Sequence, residues 1–491
     1  MHVNRREFLR KSICAAMGGI SLYSALGNLR LVAAAANAKP YSLTDYKALV
    51  CVFLYGGNDA FNTIVPISGQ ARTDYVVSRG GLALPAAGLV PLTPASGGGP
   101  TNYGLHPAMK DMTGTVDADN VAGNAGLGSL FGGGKAAIVA NVGSLLYPTS
   151  QAQYQNDTVP LPPQLYSHDD QANQWQTSRA DDANGTGWGG RIADLLHSAN
   201  SGQAPMSITL GDNNRFQRGL IVNPYAMNPD GVSRMNYHDN GDECWIGGCD
   251  GSIRTANAAA YNALVASGTQ ANVLERAYAD ASRRSIDNYQ VVAAAIGDTP
   301  PTWTTPFQNT DLGRQLQMVA RLIKARSALG MQRQVFFVSA GAFDTHNTQL
   351  TDQNQNLLEM SQALKAFYDA INVDLQIANS VTTFTASDFG RSLAVNEDGT
   401  DHGWGSHHFV VGGAVRGQRF YGEMPSLARY DEGVPLNGNP DDTGGGQIIP
   451  KIAVDQYSAT LASWFDVAAG DLPTVFPNLG RFNSANLGFM T

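Results

Sequence analysis

Three runs of apolar, β-branched and aromatic residues, each of strand length and each giving way to an acid, set the frame of this chain. Ala48 to Tyr55 (ALVCVFLY) stops at Gly56-Gly57-Asn58-Asp59, and Val335 to Ala340 (VFFVSA) stops at Gly341 to His346. Val381 to Thr385 runs on into Ser387-Asp388-Phe389-Gly390-Arg391. Continuous apolar runs of this length, rich in β-branched and aromatic side chains, predict central strands covered on both faces. Lys135 to Val142 predicts another, and Ser207 to Leu210 an edge strand. Helical patterns lie between them, at Asn272 to Ala295, Asp311 to Ala328, Leu357 to Ala378 and Val454 to Phe465. In the second of these, Leu312, Leu316, Val319, Ala320, Leu322 and Ile323 share one face. Strands alternating with helices predict an α/β protein with a mainly parallel sheet, and Leu357 to Ala378 is the crossover between two parallel strands. Residues 67–134 are rich in Gly and Pro and read as surface excursions, with a short helix beginning at Leu105-His106-Pro107. Residues 39–491 read as a single domain, with an insertion or lid at about 200–305.

In an open α/β sheet, ligands sit outside the carboxyl ends of the strands. The pattern brings Asp59, Asp344 and Asp388 there, with His346 two residues past Asp344. After a polar loop come Asp401, His402, His407 and His408 among three glycines. Asp59, Asp344 and Asp388, with His346 and His402 downstream, form a constellation that chance explains poorly. Read structurally, GGND is a turn and His346 a loop histidine. Ser167, in Tyr166-Ser167-His168-Asp169-Asp170, stands where a helix begins. It reads as an N-cap, and equally as a nucleophile at a helix N-terminus.

Charge and cysteines add the compartment. Asn4-Arg5-Arg6-Glu7-Phe8-Leu9-Arg10, a mildly apolar stretch from Ile13 to Leu26 and the small-x-small site Ala36-Asn37-Ala38 read as a twin-arginine signal peptide over residues 1–38. The expectation is export through the twin-arginine translocase to the periplasm or beyond. Net charge is -9 over the whole chain, near -13 once the leader's +4 is taken away, so nucleic acid is not an expected partner. No later segment reaches the roughly 18 consecutive apolar residues of a membrane span. Cys244 and Cys249 bracket a Gly-Gly turn and read as a hairpin disulfide, or alternatively as part of a metal clip.

The leader, together with LYGGNDAFNTIVP, GLHPAM, YSHDDQANQWQ, GWGGR, FDTHNTQ, SDFGR, GTDHGWGSHHFVVGG and the closing FPNL, resembles the exported bacterial family catalogued as domain of unknown function 1501. That family is similar to the alkaline phosphatase and sulfatase superfamily. The resemblance implies a three-layer fold with helices on both faces of the sheet. It also implies a site of one or two divalent metal ions, for which three carboxylates and two imidazoles (Asp59, Asp344, Asp388, His346, His402) suit zinc or manganese, a Ser, Thr or formylglycine nucleophile, and hydrolysis of phosphate or sulfate esters of a small molecule, glycan or lipid. Asp59 would then match the first-strand metal carboxylate, Ser167 the nucleophile region and Asp344 with His346 the next ligand pair. Asp388 would match the second-metal carboxylate, His402 the late ligand, and Arg391 would clamp a non-bridging oxygen. The chain departs from the superfamily in having Phe389 after Asp388, and in the short spacing from Asp344 to His346. His168, His407 and His408 are the residues available to replace a missing ligand. A non-catalytic binding or assembly protein of the cell envelope is the alternative reading.

Overall fold

Lys47–Leu54 (β1) is buried along nearly its whole length, and its side chains alternate between two cores. Ala48, Val50, Val52 and Leu54 face one, and Leu49, Cys51 and Phe53 the other. This period of two, apolar on both sides, places β1 at the centre of a sheet. The computed structural model describes residues 41, 43–110, 126–182, 185–202, 204–232, 259–266, 270–428 and 439–491. The leader and the Cys244–Cys249 pair lie outside the described residues; Cys51 is buried with a free thiol.

The other strands of the large sheet are Ala136–Gly143 (β2), Ser207–Thr209 (β3), Tyr225–Ala226 (β4), Arg333–Ala340 (β5), Val381–Ser387 (β6), Ser406–Gly412 (β7), Arg419–Tyr421 (β8) and Ile452–Ala453 (β9). Their order is β8-β2-β7-β6-β1-β5-β3-β4, with β9 also pairing with β2. Only β7 runs against its neighbours, so the sheet is mainly parallel. The fold is mixed α/β, and helices cover both faces. His168–Thr177 (α1), Trp188–Leu196 (α2) and Val454–Trp464 (α5) pack on the Cys51 face. Asp311–Lys324 (α3) and Gln349–Asp369 (α4) pack on the Val50 face.

Several boundaries differ from those expected. The α4 helix begins eight residues before Leu357, because its first two turns hold one apolar residue, the exposed Leu350, and carry no apolar period. β3 lies inside the sheet rather than at its edge, since Tyr225–Ala226 pairs beside it, so part of the 200–305 insertion belongs to the central sheet. The Gly-rich stretch holds an unexpected helix, Gly69–Arg79. The loop after Arg391 is a β-hairpin, Arg391–Asn396 paired with Gly399–His402. Among the described residues no helix is long and apolar enough to cross a membrane.

Candidate metal centre

Sheet register assembles the site. Leu54 is level with both Ala340 and Ser387, so the ends of β5, β1 and β6 bring Asp344, Gly56 and Asp388 to one place. Gly56 has φ +110°, and a Cβ there would overlap the Asp344 amide, so only glycine lets the chain pass. Its N–H donates to Asp388 Oδ2 at 3.0 Å. The hairpin sets His402 opposite Arg391. From the other face of the sheet, α1 delivers His168 at its first position.

Four side-chain atoms converge. Nε2 of His402 lies 3.1 Å from Nε2 of His168 and 3.0 Å from Nε2 of His346. Oδ1 of Asp344 lies 3.5, 3.0 and 3.4 Å from Nε2 of His168, His346 and His402 respectively. Ligands about 2.0–2.1 Å from a tetrahedral zinc ion stand about 3.3–3.4 Å from one another. The separations among His168, Asp344 and His402 match that spacing, as do those of His346 from Asp344 and His402, while His346 stands outside the compact group that the other three form.

Each histidine has its other nitrogen turned to an oxygen. His402 Nδ1 bonds the Tyr166 carbonyl at 2.7 Å. A carbonyl can only accept, so Nδ1 carries the proton and Nε2 offers its lone pair. His168 Nδ1 meets Asp388 Oδ2 at 2.7 Å, and His346 Nδ1 lies 3.4 Å from Asp401 Oδ1. Arg391, fully buried, holds Asp344 Oδ1 at 2.5 Å and also donates to the Gly56 and Thr400 carbonyls. Phe389 packs against the rings of both His168 and His402 at 4.8 Å, which is what occupies the position after Asp388.

The electrostatics follow from these contacts. Burial pushes the Asp388 carboxyl up, partly offset by its bonds from His168 and Gly56; its Oδ1 is buried with no hydrogen-bond partner. The Asp388 hydrogen bond raises His168. For Asp344, burial acts upward, but Arg391 and the facing imidazoles outweigh it and hold the carboxyl low. Burial lowers His402. Lone pairs facing lone pairs at 3 Å repel unless a cation or a shared proton lies between them. Imidazole nitrogens beside an ionised carboxylate therefore form a donor set that a divalent ion fits, with His168, Asp344 and His402 as its compact triad.

Of the residues expected at the site, Asp344, His346 and His402 come together, and the others have different places. Asp59 is fully buried. Its Oδ1 caps Ala60–Thr63 by accepting from the Phe61 and Asn62 amides, and its Oδ2 is taken by Arg79 and Gln349. No oxygen is left to meet the cluster. Asp388 stands behind His168 rather than in the converging set. The Arg391 guanidinium points inward to Asp344 and the backbone, not to an open clamp. Ser167 is the N-cap residue of α1, as read, but its hydroxyl donates to Asp170 Oδ2 at 2.7 Å instead of receiving a backbone N–H. His407 and His408 are buried in β7, His407 against Phe61 and His408 against Trp175. His168 is thus the residue that sequence reasoning left among the alternates. Its signal was the pairing of a histidine with the first helical position after a cap.

Fold and site together define a mixed α/β protein with a histidine–carboxylate centre at the carboxyl edge of a mainly parallel sheet. The chain belongs to the family described as protein of unknown function (DUF1501), whose model matches residues 46–438. No curated protein matches. Among solved structures, one described as the crystal structure of Ps i-CgsB in complex with k-i-k-neocarrahexaose aligns at 9% identity. The alignment covers 90% of this chain and 78% of that one with a TM-score of 0.31, a level of likeness that carries no argument.

Proposed function

We propose that the chain is an exported hydrolase of phosphate or sulfate esters that works with one divalent ion, zinc or manganese. His168, Asp344, His402 and His346 would hold the ion. The observation that carries this reading is the convergence of three Nε2 atoms on Asp344 Oδ1, each imidazole turned by an oxygen behind it. When bound, the ion would polarise an ester oxygen for attack by water. The chain's own groups supply the rest. Asp388 and the Tyr166 carbonyl fix the tautomers and ring planes of His168 and His402. Arg391 stops the Asp344 carboxylate from rotating, and Phe389 walls off the buried side of both rings. With Ser167 bonded to Asp170, water is the attacking group in this reading.

The ester class rests on the resemblance to alkaline phosphatases and sulfatases and on the place of the centre at the sheet's carboxyl edge. The substrate is an ester on a small molecule, glycan or lipid, and export is by the twin-arginine translocase. Purified mature protein resupplied with zinc or manganese should cleave an aryl phosphate or an aryl sulfate, and His402→Ala should lose that turnover. A wild type that binds the ion and cleaves neither class would hand the site to the binding or assembly reading.

A further inference from the structure

The four converging residues are not held alike. Behind His168 stands Asp388, whose side chain is 3% exposed, and behind Asp344 stands Arg391, which is 0% exposed. His402 is tied to a backbone carbonyl. His346 is 42% exposed, and its one anchor, 3.4 Å away, is Asp401, itself 64% exposed. The backbone beneath His346 is nonetheless fixed. Thr400 N–H donates to the Thr345 carbonyl, and a Cβ on Gly399 would overlap the His346 carbonyl. The hairpin tip adds two bonds, from Thr348 N–H to the Asp398 carboxylate and from Gln349 N–H to the Asp398 carbonyl, each 3.1 Å.

A rigid backbone carrying a loosely held, exposed imidazole is the arrangement of a side chain that can turn away and return by rotamer change alone. Four protein donors fill a tetrahedral ion, whereas a hydrolytic centre keeps one position open. We infer that His346 is an exchangeable ligand: His168, Asp344 and His402 form the permanent tripod, and the His346 imidazole yields its position to the substrate's anionic oxygen. On leaving, the neutral ring keeps its proton and turns to water, so no proton need move. This inference rests on the metal reading above.

The test is zinc affinity, by competition with a chelator, for the wild type and for His168→Ala, His402→Ala, Asp344→Ala and His346→Ala. Since even partners behind the ligands cost about 10- to 100-fold, the first three variants should lose more than about 100-fold. His346→Ala should still bind one ion, about tenfold more weakly. Cobalt replaces zinc in the second arm, where saturating inorganic phosphate should move the wild-type absorption spectrum toward that of His346→Ala. Equal losses in all four variants, or phosphate binding with an unmoved spectrum, would overturn the exchange. A folded wild type that binds no zinc instead overturns the metal reading itself.

Discussion

Nδ1 of His168 and Oδ2 of Asp388 meet at 2.7 Å across 220 residues of chain, a histidine at a helix start backed by a carboxylate at a strand end. A carboxylate behind an imidazole raises its basicity and fixes which nitrogen faces forward. Asp388→Asn keeps the shape and removes the charge. Metal affinity should fall about 10- to 100-fold with the fold retained, as read by chelator competition and circular dichroism. Unchanged affinity would mean that Asp388 acts only as a packing group.

Asp59 and Arg79 form an ion pair with both side chains fully buried. Breaking such a pair from one side leaves an uncompensated charge and costs about 3–5 kcal/mol. Arg79→Leu should therefore lower the denaturation midpoint sharply, and Asp59→Asn should destabilise while leaving the ion content of the folded protein unchanged. An Asp59→Asn variant that is fully stable yet stripped of metal would restore Asp59 to the ligand set.

Ser167 gives its hydroxyl to Asp170. Removing that bond in Ser167→Ala should cost roughly 1 kcal/mol of stability, with metal content and turnover largely kept. A drop in turnover by orders of magnitude, with the ion still bound, would show that the hydroxyl attacks the ester.

His408 is buried between Trp175 and Tyr457, and burial pushes its pKa down from 6.5 to about 3. The unfolded chain takes the proton first as the pH falls. The stability that neutral His408 contributes is thus whole above about pH 6.5 and is lost toward pH 3, by about 1.4 kcal/mol per pH unit. His408→Gln should show a shallower fall in stability between pH 6.5 and 4.5 in denaturant titrations. The same acid sensitivity in the variant would contradict this.

Much of the frame was legible from local pattern. The strands carrying Cys51 and Phe336 are apolar on both faces, the one carrying Phe384 is β-branched and aromatic, and each hands over to a polar turn, so the carboxyl edge could be located and Asp344, His346 and His402 with it. What could not be read depends on long-range partners. Asp59 looked like a ligand because Arg79 lies on a helix whose Gly/Gln/Arg/Thr composition has no apolar stripe, with Tyr75 as its buried anchor. Arg391 looked like an open clamp because its partners are distant in sequence: the hairpin turn at Glu397-Asp398 returns Thr400 to the guanidinium, and Asp344 reaches it from beyond the end of β5. Asp388 and His168 exchanged roles for the same reason. Which of two acidic or basic groups faces the centre is set by sheet register and the approach of α1, neither of which is written in local spacing.

If His168, Asp344, His402 and His346 hold a divalent ion, elemental analysis of the purified protein will find it. After incubation with zinc or manganese and removal of excess by dialysis, the wild type should carry one ion per chain and His402→Ala almost none, with both proteins folded. A folded wild type without an ion, or a His402→Ala variant that retains the full complement, would show that these four residues do not hold one.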